Sequence, residues 1–188
     1  WDPLLQSYVA IKEYYPSGIA TRSADSSKVC VPVGQEQREY HRGRIRFLKE
    51  AQDVARFQSE PNIVSIYDYL EENDTAYMVM EYLHGCTLKQ YIREHGGRLD
   101  TDHILHICLS VLDALAVVHK AGMIHRDISP ENIFICEDLT VKLIDFGAAK
   151  QVYLDGEQTM SVVLKPGYAP PEQYAKKDKQ GPWTDIYA

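Results

Sequence analysis

The chain has 188 residues, 45% of them hydrophobic and 25% charged, which suits a globular protein of one domain or two small lobes with a buried core. Its net charge of −7 argues against nucleic acid as a main partner, because that role needs a basic face. Cys30, Cys86, Cys108 and Cys136 are widely spaced with no C-x-x-C pair, which excludes zinc-ligand spacing and fits inert thiols in a reducing compartment.

Residues 8–12, Tyr-Val-Ala-Ile-Lys, are β-rich and predict a strand. Residues 17–34 are polar and predict a loop. A charged helix is expected over 35–58, where Phe47, Leu48, Ala51, Val54 and Ala55 recur at helical spacing and Pro61-Asn62 break the pattern. Residues 63–70 and 75–83 predict a hairpin turning through Glu71-Glu72-Asn73-Asp74. Gly85 is expected to open a linker before a short helix over 88–95. Asp100 is a plausible N-cap for a long helix whose apolar stripe reads Ile104, Ile107, Cys108, Val111, Leu112, Leu115 and Val118, ended by Gly122. Residues 133–135 and 141–144 predict two short strands around Asp138. Lys176, Lys177 and Lys179 read as a solvated basic loop. No apolar run reaches about 18 residues, so no membrane segment is expected, and no signal peptide is visible. The chain begins at Trp1 and ends just after Trp183 to Tyr187 start another helix, so a fragment of a longer protein is expected. Strands and one helix followed by mostly helices give an α+β layout of two lobes, 1–83 and 84–188.

The chemistry concentrates in His125-Arg126-Asp127-Ile128-Ser129-Pro130-Glu131-Asn132, followed thirteen residues after Asn132 by Asp145-Phe146-Gly147. Phosphoryl transfer from ATP needs positioning and charge neutralisation more than covalent help. Asp127 is placed to take or orient the proton of an attacking hydroxyl. Asn132 and Asp145 are oxygen ligands of the kind Mg²⁺ prefers. Lys12 lies mid-strand, where a lone cation is costly; phosphate oxygens and Glu50 are the expected partners, with Glu36 and Glu39 as alternatives. Any one of these residues alone could be a surface charge or a loop cap. Seven fixed positions, each matched by chance about one time in twenty, are not explained that way.

These motifs resemble the H-R-D-L-x-x-x-N and D-F-G segments of protein kinase catalytic domains. The whole chain is similar to such a domain, most of all to bacterial Ser/Thr kinases of the eukaryotic-like type, truncated at both ends. Val9-Ala10-Ile11-Lys12 resembles the strand of the ATP lysine, and Met78 to Leu83 the strand and hinge that hold adenine. The resemblance implies that Glu81 and Leu83 bind the base through backbone groups, that Met80 guards the back pocket, and that Ala10 and Phe134 sandwich the base. It implies an apolar column of Val54, Ile66, His125 and Phe146. It also implies that Asp185 supports the catalytic loop and that Pro170-Pro171-Glu172 closes the activation segment. Arg126 and Lys150 would receive a phosphate on Ser161 or Thr159. ATP and Mg²⁺, a protein substrate with a Ser or Thr acceptor (Pro130-Glu131 resembles that class), and a cytoplasmic location, with a membrane anchor elsewhere in the full protein left open, follow from the same likeness. The alternatives are a pseudokinase scaffold, disfavoured by the presence of Lys12, Asp127, Asn132 and Asp145, and a small-molecule kinase, disfavoured by Arg126 and Pro170-Pro171-Glu172.

The chain departs from the pattern in three ways. No glycine precedes Val9, so the Gly-rich loop over the phosphates is lacking, and the arginine that the family pairs with Glu172 lies beyond Ala188; residues 1–188 alone are expected to be poorly stable and inactive. Ser129 stands where Ser/Thr kinases carry a lysine that contacts the transferring phosphate. Lys165 stands where they carry the activation-segment threonine. The expectation is an exchange of roles, with Lys165 reaching back to Asp127 and the γ-phosphate; a solvent-facing Lys165 is the alternative.

Overall fold

The computed structural model describes residues 1, 6–22, 24–151 (backbone alone at 150 and 151), 164–174 and 179–188. The chain forms two compact units, Trp1–Ser59 with Val64–Leu83, and Glu60–Ile63 with His84–Ala188.

The first unit is an antiparallel sheet with one long helix. β1 (Val9–Glu13) pairs with β5 (Thr75–Glu81), which also pairs with β4 (Ile66–Glu72), giving the order β1-β5-β4. The hairpin turns at Asn73 and Asp74 alone, with φ of 53° and 59°. Positive φ at both central residues is the mark of the tight turn whose twist matches the strands, and Asn and Asp tolerate it better than other side chains; the expected four-residue turn is therefore shorter, and Glu71-Glu72 pair with Ala76 and Thr75. The expected loop over 17–34 contains a small hairpin, β2 (Thr21–Arg22) with β3 (Val29–Cys30). α1 (Gln35–Val54) tightens into a 3₁₀ turn at Ala55–Phe57. It buries Tyr40, Phe47, Ala51 and Val54. Tyr14 meets the rings of Tyr40 and Phe47 at 5.2 and 5.8 Å, and burial pushes its phenol pKa up.

The second unit opens with β6 (Gly85–Thr87), a strand where a linker was expected. Gly85, at φ 143°, is needed there: an added Cβ would lie 2.1 Å from the Ile135 carbonyl oxygen. Thr87 caps α2 (Leu88–Glu94) by accepting from Gln90 N–H. Asp100 caps α3 (Thr101–Lys120), accepting from His103 N–H at 2.9 Å. The buried face of α3 is Ile107, Ser110, Val111, Ala114, Leu115 and Val118, while Ile104, Cys108 and Leu112 of the expected stripe are exposed with Leu105 and Leu109. Ile107, Val111, Leu115 and Val118 of the expected stripe are thus buried, and the buried face is turned from it toward Ser110 and Ala114; α3 packs on β7 (Met123–Ile124) and β9 (Val141–Leu143). α3 is long and apolar enough to cross a membrane by length and mean hydropathy, although polar residues interrupt its apolar run. β8 (Ile133–Cys136) lies between β6 and β9, and β10 (Lys150–Gln151) pairs with β7. Two short helices, α4 (Pro171–Tyr174) and α5 (Pro182–Ile186), complete the unit.

Candidate active site

The segment 125–132 joins β7 to β8, and the end of α5 fixes its backbone. Asp185, 2% exposed, accepts from the amides of His125 at 2.8 Å and Arg126 at 2.7 Å. His119 Nε2 stands 2.8 Å from the same carboxylate. Arg126 has φ 71°, an unfavourable value for a side chain of its size. Its peptide is clamped from both sides, since Gln173 Nε2 donates to its carbonyl at 2.7 Å. Strain held this firmly is typical of functional loops.

The loop's side chains then divide by environment. His125 is fully buried; its Nε2 lies 3.3 Å from the Ile144 carbonyl and its Nδ1 accepts from Asp127 N–H at 3.3 Å. That pair of contacts fits the neutral ring, and burial lowers the imidazole pKa below its ordinary value. Phe146 stacks on it at 4.5 Å. Arg126 is also buried, and desolvation lowers its pKa. Asp127 is half-buried and its carboxylate Oδ2 accepts from Asn132 Nδ2 at 2.8 Å, which also reaches the Asp127 carbonyl at 2.8 Å. Both amide hydrogens of Asn132 are thereby directed at Asp127, and its Oδ1 is the atom left for a hard cation. Ile144 N–H donates to the Asn132 carbonyl at 2.9 Å, which places the next residue, Asp145, beside it. Asp145 is exposed, has φ 60°, and accepts from Gly147 N–H at 3.3 Å.

Lys165 turns inward. Its Nζ lies 3.0 Å from Ser129 Oγ, 3.3 Å from Asp127 Oδ2 and 3.4 Å from Glu131 Oε2, so the solvent-facing alternative does not hold. Glu131 is also paired with Lys89 at 2.5 Å, and the hydrogen bonds from Lys89 first and Lys165 second lower its pKa. A depression beside Asp127 is lined by Ile128, Leu164, Lys165, Tyr168 and Ala169.

In the first unit, Lys12 Nζ meets Glu50 Oε1 at 3.3 Å and lies 5.8 Å from the centre of the Phe47 ring. Of the three candidate glutamates, Glu50 is thus the one at Lys12, and Glu39 accepts from Gln35. Ala10 pairs with Met80 across the sheet. Glu81 N–H donates to the Ser65 carbonyl at 2.9 Å, and its side chain accepts from Ser65 N–H at 3.2 Å. Leu83 is half-buried, as is Phe134 in β8 of the second unit. Val54 and Ile66 are buried in the first unit, His125 and Phe146 in the second. Ser161, Thr159 and the side chain of Lys150 lie outside the described residues.

The structure adds His119, Gln173 and Lys89 to the residues named from the sequence, and gives Glu131 of the 125–132 motif an ion-pair role. Gln173 follows Glu172 directly and the Glu131 side chain follows Pro130, so chain proximity to the motifs was the available signal; His119 had none beyond its place in the last turn of α3.

The family model described as the protein kinase domain matches residues 19–188. The chain is 41% identical over 146 residues to the probable serine/threonine-protein kinase CPE1738 of Clostridium perfringens, covering 76% of this chain and 21% of that protein. It is 41% identical over 144 residues to the serine/threonine-protein kinase PrkC of Bacillus subtilis, covering 76% of this chain and 22% of the relative. The chain therefore spans about a fifth of the length of these curated relatives. The solved structure titled PpkA-294 apo form superposes with a TM-score of 0.85 at 34% identity, over 100% of this chain and 65% of that one. A loop clamped by a buried aspartate, a family model matched from residue 19 to the end and a fold shared over the chain's full length lead to one conclusion: this chain belongs to the protein kinase family.

Proposed function

We propose that the chain is part of an ATP-dependent protein kinase domain that phosphorylates serine or threonine hydroxyls of proteins. The observation that carries this reading is the geometry around Asp127: one carboxylate oxygen fixed by Asn132 at 2.8 Å, with Lys165 at 3.3 Å and a lined depression alongside. An acceptor hydroxyl beside Asp127 attacks the γ-phosphorus of ATP. Its proton passes to Asp127 as the O–H bond breaks, and the bond from γ-phosphorus to the bridging oxygen breaks with its electron pair leaving on ADP.

Lys12, oriented by Glu50, would neutralise nucleotide phosphates. Glu81 and Leu83 would hold adenine through backbone groups, with Met80, Ala10 and Phe134 against the base. Asn132 and Asp145 would hold Mg²⁺, which when bound offsets charge on the phosphates. The donor set fits: Mg²⁺ takes one or two protein oxygens and completes its shell with water and phosphate, and among the described residues no group of three His, Cys, Asp or Glu side chains competes for it. ATP is a cytoplasmic metabolite, which supports a cytoplasmic place for this part of the protein. A pseudokinase is less well supported, because Lys12 and Asp127 each keep a charged partner. Residues 1–188 by themselves should turn over little, a reading supported by the apolar side chains that α3 exposes.

The test is label transfer from γ-labelled ATP by the full-length protein with Mg²⁺ and a mixed protein substrate. Wild type should label protein, and Asp145→Ala and chelation of Mg²⁺ should each abolish it. Equal labelling by wild type and Asp145→Ala would sink the reading.

A further inference from the structure

Three acceptors converge on Lys165 Nζ: Ser129 Oγ at 3.0 Å, Asp127 Oδ2 at 3.3 Å and Glu131 Oε2 at 3.4 Å. A lysine ammonium has three hydrogens to give; one goes to Ser129 Oγ, and the two carboxylates of the same loop stand at ion-pair distance. The backbone holds it there. Pro166 restricts Lys165 to extended backbone, and Gly167 at φ 92° closes a tight turn in which Tyr168 N–H donates to the Lys165 carbonyl at 3.1 Å. Proline then glycine at the two central positions is the pattern of a type II turn. The lysine is thus aimed by its own local sequence, Lys165-Pro166-Gly167.

The charge pattern of the loop gives this contact a purpose. Between His125 and Asn132 the loop carries two acids, Asp127 and Glu131; both carboxylates face Lys165 Nζ, and Glu131 is shared with Lys89. Its own cation, Arg126, is buried and directed elsewhere, with Nη1 3.4 Å from the Ala148 carbonyl. Ser129 is 2% exposed and offers a hydroxyl with no charge. Anionic phosphate beside two carboxylates needs a positive partner. Lys165 stands at Asp127 with its side chain still 27% exposed.

We propose that Lys165 is the phosphoryl-neutralising cation of this kinase. It is delivered from the activation segment, with Ser129 as its hydrogen-bond seat in place of a lysine within the catalytic loop. The inference rests on the phosphoryl-transfer reading above. It adds a consequence: the cation reaches the site only when the segment 164–169 is docked on the loop, so ordering that segment and completing the charge of the site are one event.

The experiment uses the full-length protein and compares wild type, Lys165→Thr, Ser129→Lys/Lys165→Thr and Asp145→Ala, each checked for cooperative melting. Lys165→Thr should lose about 100-fold or more in kcat, with the KM for ATP changed less than about threefold, because the lysine serves the transition state more than nucleotide binding. The reciprocal double variant should recover at least about tenfold over Lys165→Thr, as expected for a charge restored from the other side. Activity of Lys165→Thr within about threefold of wild type overturns the inference, as does a loss that lies wholly in the KM for the protein substrate, or a double variant no more active than Lys165→Thr. If Asp145→Ala is inactive in those cases, the phosphoryl-transfer reading stands and Lys165 alone is reassigned. If wild type and Asp145→Ala both fail to transfer, both readings fall.

Discussion

Lys12 and His125 show how one charge is kept and another refused. Lys12 is mid-strand and half-buried, yet Glu50, 11% exposed, faces it at 3.3 Å. Removing one partner leaves the other charge poorly solvated. Lys12→Met should therefore lower kcat/KM about 100-fold or more by disordering bound phosphates, measured as label transfer by the full-length protein; retention of wild-type turnover would assign the pair a structural role. His125 is the opposite case. Its burial lowers the pKa from the ordinary value near 6.5, so below about pH 6.5 the unfolded chain binds a proton that the folded chain refuses. Stability then rises with pH through that window and is lost as pH falls. The urea midpoint of the full-length protein should drop between pH 7 and pH 5.5, and His125→Phe should reduce that slope. A midpoint that rises on acidification would contradict the assignment.

At the scale of elements, local rules were legible and tertiary choices were not. The N-cap at Asp100 was readable because capping depends on three neighbouring residues, and the bond to His103 N–H is there at 2.9 Å. Asp100→Ala should cost about 1 kcal/mol, read as a shift in urea midpoint; no shift would mean that the end of α3 is held by packing alone. The stripe of α3 holds at Ile107, Val111, Leu115 and Val118 and fails at Ile104, Cys108 and Leu112, because apolar residues continue onto the flank that β7 and β9 do not cover. Leu115, 2% exposed, is on the covered side under either reading. The turn at Asn73-Asp74 was overestimated because Glu71 and Glu72 look turn-like by composition but pair in the ladder. In the candidate site, the nearness of Asn132 to Asp127 was legible from short spacing, and that of Lys165 to Asp127 from counting back to Pro170-Pro171-Glu172; their roles in transfer remain the proposal. His119, 66 residues from Asp185, and Gln173, 47 from Arg126, were not, because such contacts exist only once the fold has brought distant segments together.

For the molecule as a whole, one buried carboxylate links stability to the site. Asp185 accepts from two backbone amides and faces His119, so truncation strands buried donors that each cost about 1–3 kcal/mol. Asp185→Ala should lower the melting temperature and abolish turnover together, whereas Lys165→Thr should lower turnover about 100-fold with little change in melting. The exposed row Ile104, Leu105, Leu109 and Leu112 is an apolar patch of the kind that drives association, and residues 1–188 expressed alone should elute from a sizing column as oligomers or aggregates. The central claim is that Asp127 directs transfer of a phosphoryl group from ATP to a Ser or Thr hydroxyl. Its most direct test is phosphoamino-acid analysis after incubating the full-length protein, wild type or Asp127→Ala, with γ-labelled ATP and Mg²⁺. The account predicts labelled phosphoserine or phosphothreonine with wild type and at least about a 100-fold loss with Asp127→Ala; equal labelling by the two proteins, or no labelling by either, would contradict it.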